Sequence, residues 1–189
     1  RAAVRSTLEA LGKQTYANFE VCVVSELAQA GLTDYEGIPK FRLVLFNGTA
    51  HEQLKAAEKM LNGAYFLQLL PGDLPAPDAL HMLVLQTHAN PEAEVVFADE
   101  DSVIDGIRQN PIFKPDYGRD TLRSFNSIGR PMLVSKRVHT AVGGFRGSTP
   151  AELWAYCIEC ASAAKQVIHI ARIGLTVIRD CDGSEIPCT

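Results

Sequence analysis

No apolar run in the 189-residue sequence approaches the ~20 residues that cross a bilayer, and no basic stretch leads into an apolar one as in a secretory signal. Blocks of like charge are missing as well. The 18 Lys and Arg are scattered among 22 Asp and Glu, and the net charge is −4, so no electrostatic footprint for nucleic acid forms. No GxGxxG follows a strand-like segment, which disfavours a dinucleotide-dependent oxidoreductase. What is present, 47% hydrophobic and 21% charged residues at a mean hydropathy of +0.01, suits one globular domain over residues 1–189 with a sizeable core. The chain is expected in the cytoplasm, any attachment to the inner membrane face coming from a partner or a segment outside it.

Disulfides are also disfavoured. Cys22, Cys157, Cys160, Cys181 and Cys188 make an odd count without a secretory signal, the pattern of reduced thiols. Cys157 and Cys160 form a CxxC inside "AELWAYCIECASAAK", where three-residue spacing places both on one helix face. They read as small buried hydrophobes, with a structural zinc site shared with Cys181 and Cys188 as the alternative.

Helical and strand-like segments alternate. Residues 2–13 carry Val4, Leu8 and Leu11 on one helical stripe; "EVCVV" (20–24) and "RLVLF" (42–46) read as strands; "NGTAHEQLKAAEKML" reads as a turn into an amphipathic helix. A third strand is expected at 64–70, a helix at 77–89 and a fourth strand at 93–98, with Asp105 and Gly106 as the tip of a following hairpin. This alternation predicts a largely parallel, Rossmann-like sheet with helices on both faces. Ligands of such sheets bind at the carboxyl ends of the strands. The polar residues there are Ser25 and Glu26, Asn47, Asp73, and Asp99, Glu100 and Asp101. Acids gathered on one edge suggest a cation and a diphosphate, although each acid taken alone is also an ordinary loop former or cap.

The order "QTYANFEV", then "DED…FKPD", then "VGGF" resembles the family 2 glycosyltransferases of GT-A fold, in the subgroup with an acidic DED after the fourth strand and a downstream FKPD. The resemblance covers about residues 3–147. It implies a domain that binds a nucleotide-diphospho-sugar, most often a UDP-sugar, and transfers the sugar to an acceptor hydroxyl on a saccharide or lipid-linked molecule. It also implies a Mn²⁺ or Mg²⁺ ion to neutralise the departing diphosphate and a carboxylate base. On this resemblance Ser25, Glu26, Asn47 and Asp73 bind the nucleotide, while Asp99, Asp101, Gly143 and Gly144 line the rim where donor and acceptor meet.

The sequence departs from the family at several of these points. The usual first strand would precede Arg1, and Ser25 and Glu26 replace a pair of aspartates. Where relatives carry D-x-D-D, this chain reads Leu70, Pro71, Gly72, Asp73, so Asp73 is the one expected metal ligand, holding an ion already chelated by diphosphate. Glu152 is the carboxylate nearest the family's base position, but "STPAE" also reads as an ordinary helix start, with Ser148 or Thr149 capping and Pro150 and Glu152 in the first turn. Gly143 and Gly144 fit a plain turn, and Asp99 and Asp101 fit turn formers. His169, between Ile168 and Ile170, reads as a strand position. An alternative function therefore stands beside the enzyme: an inactive, UDP-binding or scaffold domain.

Overall fold

A computed structural model of the chain describes residues 2–25, 38, 40–145 and 149–179. Helix α1 (Ala2–Gly12) buries Leu8 and Leu11 against a two-stranded parallel sheet, β1 (Val21–Ser25) beside β2 (Phe41–Leu45), and turns Thr7 to the backbone of residues 70–72. Leu8, Leu11, Ile38 and Leu80 pack there with Val21, Val23, Phe41 and Leu43. Helix α2 (Ala50–Glu58) starts at a capping box: the Glu52 backbone N–H donates to the Thr49 hydroxyl at 3.3 Å, and the Glu52 carboxylate accepts from the Thr49 N–H at 2.8 Å.

The main sheet holds β3 (Tyr65–Leu67), β4 (Asp73–Pro75), β5 (Ala93–Ile104), β6 (Ile107–Ile112), β7 (Met132–Ser135) and β8 (Gln166–Ile178), in the order β3-β7-β5-β8-β4 with β6 paired to β5. The α/β architecture is the expected one, and its pairing is more mixed than the alternation suggested. Strands β5 and β8 run parallel, whereas β3–β7, β5–β7, β5–β6 and β4–β8 are antiparallel. Strand β7 lies between β3 and β5 and runs against both of them, after the β5–β6 hairpin has reversed the chain.

Helices cover both faces of the sheet. Val96 and Ala98 meet Leu83 and Met82 of α3 (Ala79–Ala89). Val95 and Phe97, on the opposite side of the pleat, meet the residues of α4 (Arg119–Ser124), α5 (Lys136–Ala141) and α6 (Pro150–Ala163), including Leu122, Val138, Tyr156 and Cys160. Cys157 and Cys160 are core residues of α6, and burial pushes the Cys157 thiol up to about 12. Cys181 and Cys188 lie outside the described residues, so the four-cysteine zinc reading is not addressed by these positions.

Two strand boundaries differ from expectation. The third strand ends at Leu67 rather than residue 70, because Leu70–Asp73 form a turn closed by the Asp73 N–H on the Leu70 carbonyl at 3.0 Å. The fourth strand runs on to Ile104, through the DED segment. Its hairpin tip is as expected: Asp105 and Gly106 both have positive φ, 51° and 78°, and Ile104 pairs with Ile107, the geometry of a two-residue type I′ loop.

Candidate functional site

Strand β3 and the first half of β5 end on the same edge of the sheet, and the N-terminal end of β7 lies beside them: Leu67 pairs with Leu133 and Phe97 with Met132. Asp73, the DED of β5, the FKPD segment and the Gly129-Arg130 approach to β7 therefore converge. The first contributor is the "LPGD" turn. Pro71 pre-sets the backbone, and Gly72, with φ 93°, takes the position that favours glycine in a type II turn. The turn is docked on α1, since the Gly72 N–H donates to the Thr7 hydroxyl at 3.0 Å. Asp73 is 1% exposed; its carboxylate accepts from the Leu70 N–H at 2.8 Å and lies 3.4 Å from the Arg130 guanidinium.

DED and FKPD bind one another. The Lys114 ammonium, 8% exposed, donates to the Ala98 carbonyl (2.8 Å), the Glu100 carboxylate (3.0 Å) and the Arg130 carbonyl (2.6 Å), which uses all three of its protons. Burial pushes the Lys114 pKa down, and Glu100 and Asp99 oppose that shift. Glu100 also accepts from the Arg130 N–H at 3.3 Å. Gly129, at φ 54°, permits this approach: a Cβ there would stand 3.3 Å from the Glu100 carboxylate and 3.4 Å from the Lys114 ammonium.

Asp99 accepts from the Lys114 N–H at 2.9 Å and faces His169 Nε2 at 2.8 Å, while His169 Nδ1 faces the exposed Asp116 at 3.2 Å. The imidazole stacks on Phe97 with ring centroids 4.8 Å apart. His169 thus ties β8, β5 and the FKPD segment together. Its alternation with Ile168 and Ile170 gave only a strand position, because its partners lie 53 and 70 residues away in sequence. Asp101 pairs with Arg108 across the hairpin, at 2.6 Å. Asp99 and Asp101 are therefore buried strand residues with protein partners, not residues of a turn after the strand.

The remaining expected site residues are placed apart from that network. Ser25 closes β1, Asn47 is exposed just beyond β2, and Glu26 lies outside the described residues. Gly143 and Gly144 have φ of 85° and 80° and are held by α2: Lys55 donates to the Gly143 carbonyl, and Glu58 accepts from the Phe145 N–H at 2.7 Å. A Cβ on Gly144 would come within 2.6 Å of the Glu58 carboxylate, so close approach explains that glycine. Glu58 also faces buried His139 at 3.3 Å, and His139 Nδ1 meets the Tyr156 hydroxyl at 2.6 Å. Desolvation pushes the His139 pKa down, against the pull of Glu58. Glu152 is exposed and forms the capping box of α6: its carboxylate accepts from the Thr149 N–H at 3.1 Å and the Thr149 hydroxyl at 2.6 Å. A shallow cleft sized for little more than a water molecule is lined by Gln68, Gly129, Arg130, Tyr156 and Cys157 among others.

A divalent cation at the "LPGD" turn is the family's expectation, and the residues present do not fit one. Such ions take open oxygen ligands and keep several waters. Here Leu70, Pro71 and Gly72 offer no side-chain oxygen, the turn is covered by α1, and the Asp73 carboxylate is buried against a guanidinium. Among the described residues no group of three His, Cys, Asp or Glu side chains could hold a metal ion, and no helix is long and apolar enough to cross a membrane.

No protein-family model matches the chain. It is 31% identical over 179 residues to y4gI, an uncharacterised protein of Sinorhizobium fredii, which takes in 88% of this chain and 20% of that one. It is 25% identical over 179 residues to the O-antigen biosynthesis protein RfbC of Myxococcus xanthus, covering 89% of this chain and 14% of that one. Among solved structures, residues 1–349 of S. aureus TarS superpose with a TM-score of 0.75 at 16% identity, over 93% of this chain and 56% of that one. The same protein with UDP-GlcNAc gives 0.70 at 14% identity, over 93% and 54%. A mannosyltransferase of Pyrobaculum calidifontis, PcManGT, in complex with GDP-Man and Mn²⁺, gives 0.62 at 16% identity, over 94% and 53%. The chain spans a fifth or less of these curated relatives and about half of the solved chains. At these identities the likeness is one of fold, and that fold is the α/β GT-A fold of glycosyltransferases.

Proposed function

We propose that the chain is the nucleotide-sugar-binding part of a glycosyltransferase, taking a UDP-sugar as donor and a hydroxyl of a saccharide or lipid-linked saccharide as acceptor. The observation that carries this reading is the fold shared with TarS, solved with UDP-GlcNAc, and with a mannosyltransferase solved with GDP-Man. The edge where β3 and β5 end, with the interlocked DED and FKPD segments, is the place in this fold where strand ends offer polar groups to a ligand. In this reading Ser25, Glu26 and Asn47 approach the nucleotide. Asp99, Asp101 and the Gly143-Gly144 turn shape the rim, Asp99 and Asp101 doing so through Lys114, His169 and Arg108. Glu152, exposed at the first turn of α6, is the carboxylate proposed to receive the acceptor proton.

A second reading, a binding or scaffold domain without turnover, is favoured by one observation: the carboxylates of Asp73, Asp99, Asp101 and Glu152 all engage protein groups. Thermal unfolding of the protein with UDP-GlcNAc, UDP-glucose, UDP-galactose and GDP-mannose, with ATP and NAD⁺ as controls, tests nucleotide-sugar binding. A UDP-sugar at 100 times its Kd raises stability by about 2.7 kcal/mol, a shift of about 5–10 °C for a domain of this size. No shift with any nucleotide sugar on folded protein sinks both readings. Binding accompanied by release of UDP to a saccharide acceptor selects the enzyme, and binding with no release across an acceptor panel selects the scaffold.

A further inference from the structure

We propose that the exposed ring of Phe113 and the carboxylate of Asp116 form the surface that binds the acceptor, and that this acceptor is an uncharged saccharide. In naming the acceptor site the inference rests on the glycosyltransferase reading above. It starts from two side chains of the FKPD segment that face solvent although Lys114, between them, is anchored in the interior.

Phe113 is 73% exposed, more than any other large hydrophobic side chain among the described residues. It does not stand alone, since Ile107 and Ile112 are exposed on β6, the strand that leads to it. Folding gains nothing from a ring left in water, and apolar exposure gathered in one stretch marks a surface that takes a ligand or partner. The Asp116 side chain is 96% exposed, yet it is held from beneath. Its Oδ1 lies 3.2 Å from Nδ1 of His169, whose side chain is 4% exposed, stacked on Phe97 and held through Nε2 by Asp99 at 2.8 Å. A contact to so exposed a carboxylate adds little stability. Its consequence is orientation: a buried ring with a second anchor fixes where the carboxylate stands.

The main chain between the two residues is also fixed. The Lys114 N–H donates to Asp99 at 2.9 Å, its ammonium is taken up by three acceptors, and Pro115 restricts φ. The Cα atoms of Phe113 and Asp116 are therefore at most about 11 Å apart, within the span of a disaccharide. The contacts of Lys114 and His169 to Ala98, Asp99 and Glu100 set the pair beside the edge where the first half of β5 ends.

The two groups select a chemical class. A pyranose presents an apolar C–H face and a rim of hydroxyls. The face suits an aromatic ring, which offers a large flat area at low ordering cost. The rim suits a carboxylate, which only accepts hydrogen bonds and so takes O–H donors. The same carboxylate repels phosphate, which turns the pair away from the diphosphate of a donor and toward a neutral acceptor.

Saturation-transfer NMR and calorimetric titration without nucleotide test the proposal, using methyl glycosides and disaccharides of glucose, galactose, mannose and N-acetylglucosamine. The proteins are wild type, Phe113→Ala, Asp116→Asn and Asp116→Glu; each change is at an exposed side chain, and circular dichroism checks the fold. One or more saccharides are expected to bind wild type at millimolar concentration. Affinity should fall about tenfold or more in Phe113→Ala and Asp116→Asn, and also in Asp116→Glu, which keeps the charge but moves it one methylene from its place on His169. UDP-GlcNAc affinity should stay within about twofold of wild type in all three. Saccharide affinity unchanged in the variants overturns the proposal. Wild type that binds UDP-GlcNAc and no saccharide overturns it and leaves the donor reading standing, while wild type that binds neither overturns both. Saccharide binding without UDP-GlcNAc binding overturns the acceptor role. Self-association in sedimentation that Phe113→Ala abolishes, with no saccharide binding, assigns the ring to a contact between copies and overturns the proposal as well.

Discussion

Lys114→Met isolates the contribution of the ammonium that joins DED to FKPD, because methionine keeps the length and apolar stem of the side chain and loses its charge. It leaves behind the Glu100 carboxylate, whose side chain is 14% exposed, and the carbonyls of Ala98 and Arg130. Removing one member of a buried pair costs about 3–5 kcal/mol, and a carbonyl left without a donor adds about 1–3 kcal/mol where water does not reach it. Glu100 keeps the Arg130 N–H, which offsets part of the loss. A net cost of about 4 kcal/mol follows, a large share of the roughly 5–15 kcal/mol that holds a domain folded. At ~2.1 cal/mol/K per residue, 189 residues unfold with an entropy of ~0.4 kcal/mol/K, so the expected fall in Tm is about 10 °C. Urea unfolding followed through Trp154, the one tryptophan, reads the change; its indole N–H is held by the Leu122 carbonyl at 2.7 Å in the native state. Combining Lys114→Met with Glu100→Gln should recover about 1–3 kcal/mol of the loss, since the carboxylate no longer lacks a counter-ion. A cost below about 1 kcal/mol, or strict additivity of the two changes, would refute the account of a buried ammonium holding the motifs together.

Three smaller effects follow from single contacts. Gly106→Ala should cost about 1 kcal/mol, all of it backbone strain at φ 78°, since a Cβ there meets nothing within 4 Å; equilibrium unfolding measures it, and a neutral result would contradict the turn. Thr149→Ala should cost about 1 kcal/mol by removing the cap of α6, while Glu152→Gln, which keeps the capping box, should stay within about 0.5 kcal/mol by the same unfolding assay. His139 gives the pH dependence. Its native pKa is lowered, so between pH ~6.5 and that lower value the unfolded chain binds a proton that the native chain does not; stability present above pH ~6.5 is lost as pH falls through the native pKa. His139→Phe, which keeps the ring packed between Phe66 and Phe145, should lose less stability than wild type between pH 7.5 and 5.5 in parallel urea titrations.

Local pattern was enough to reveal the helices α1, α2 and α3, the strands β1 and β2, and the hairpin tip, because 3.6-residue stripes, Pro-led starts and an Asp-Gly pair act over a few residues. It was not enough for β5, where Asp99, Glu100 and Asp101 read as a loop. Their charges are tolerated in a buried strand only because Lys114, His169 and Arg108 arrive from elsewhere in the chain, and such partners leave no periodic trace. The same reason hid His169. Asp73 was legible as the carboxylate that follows a Pro-Gly turn, but its neighbour Arg130 comes from 57 positions further along, so the charge that meets it could not be read from the turn. Glu152 was legible as a cap from five residues alone.

Strand β8 lies along one whole side of β5, while β7 and then β6 share the other side, and β8 is also the ladder partner of β4. A ribosome releases the chain from its amino end, so everything up to Ala163 emerges while β5 still has an open edge and β4 has no ladder. Only when Gln166–Ile178 follows can both be closed, and the same strand brings His169 to Asp99. Closure of the sheet and completion of the Asp99–His169 contact thus coincide in time: a nascent or truncated chain lacking β8 holds neither, and exposes an unpaired strand edge open to association.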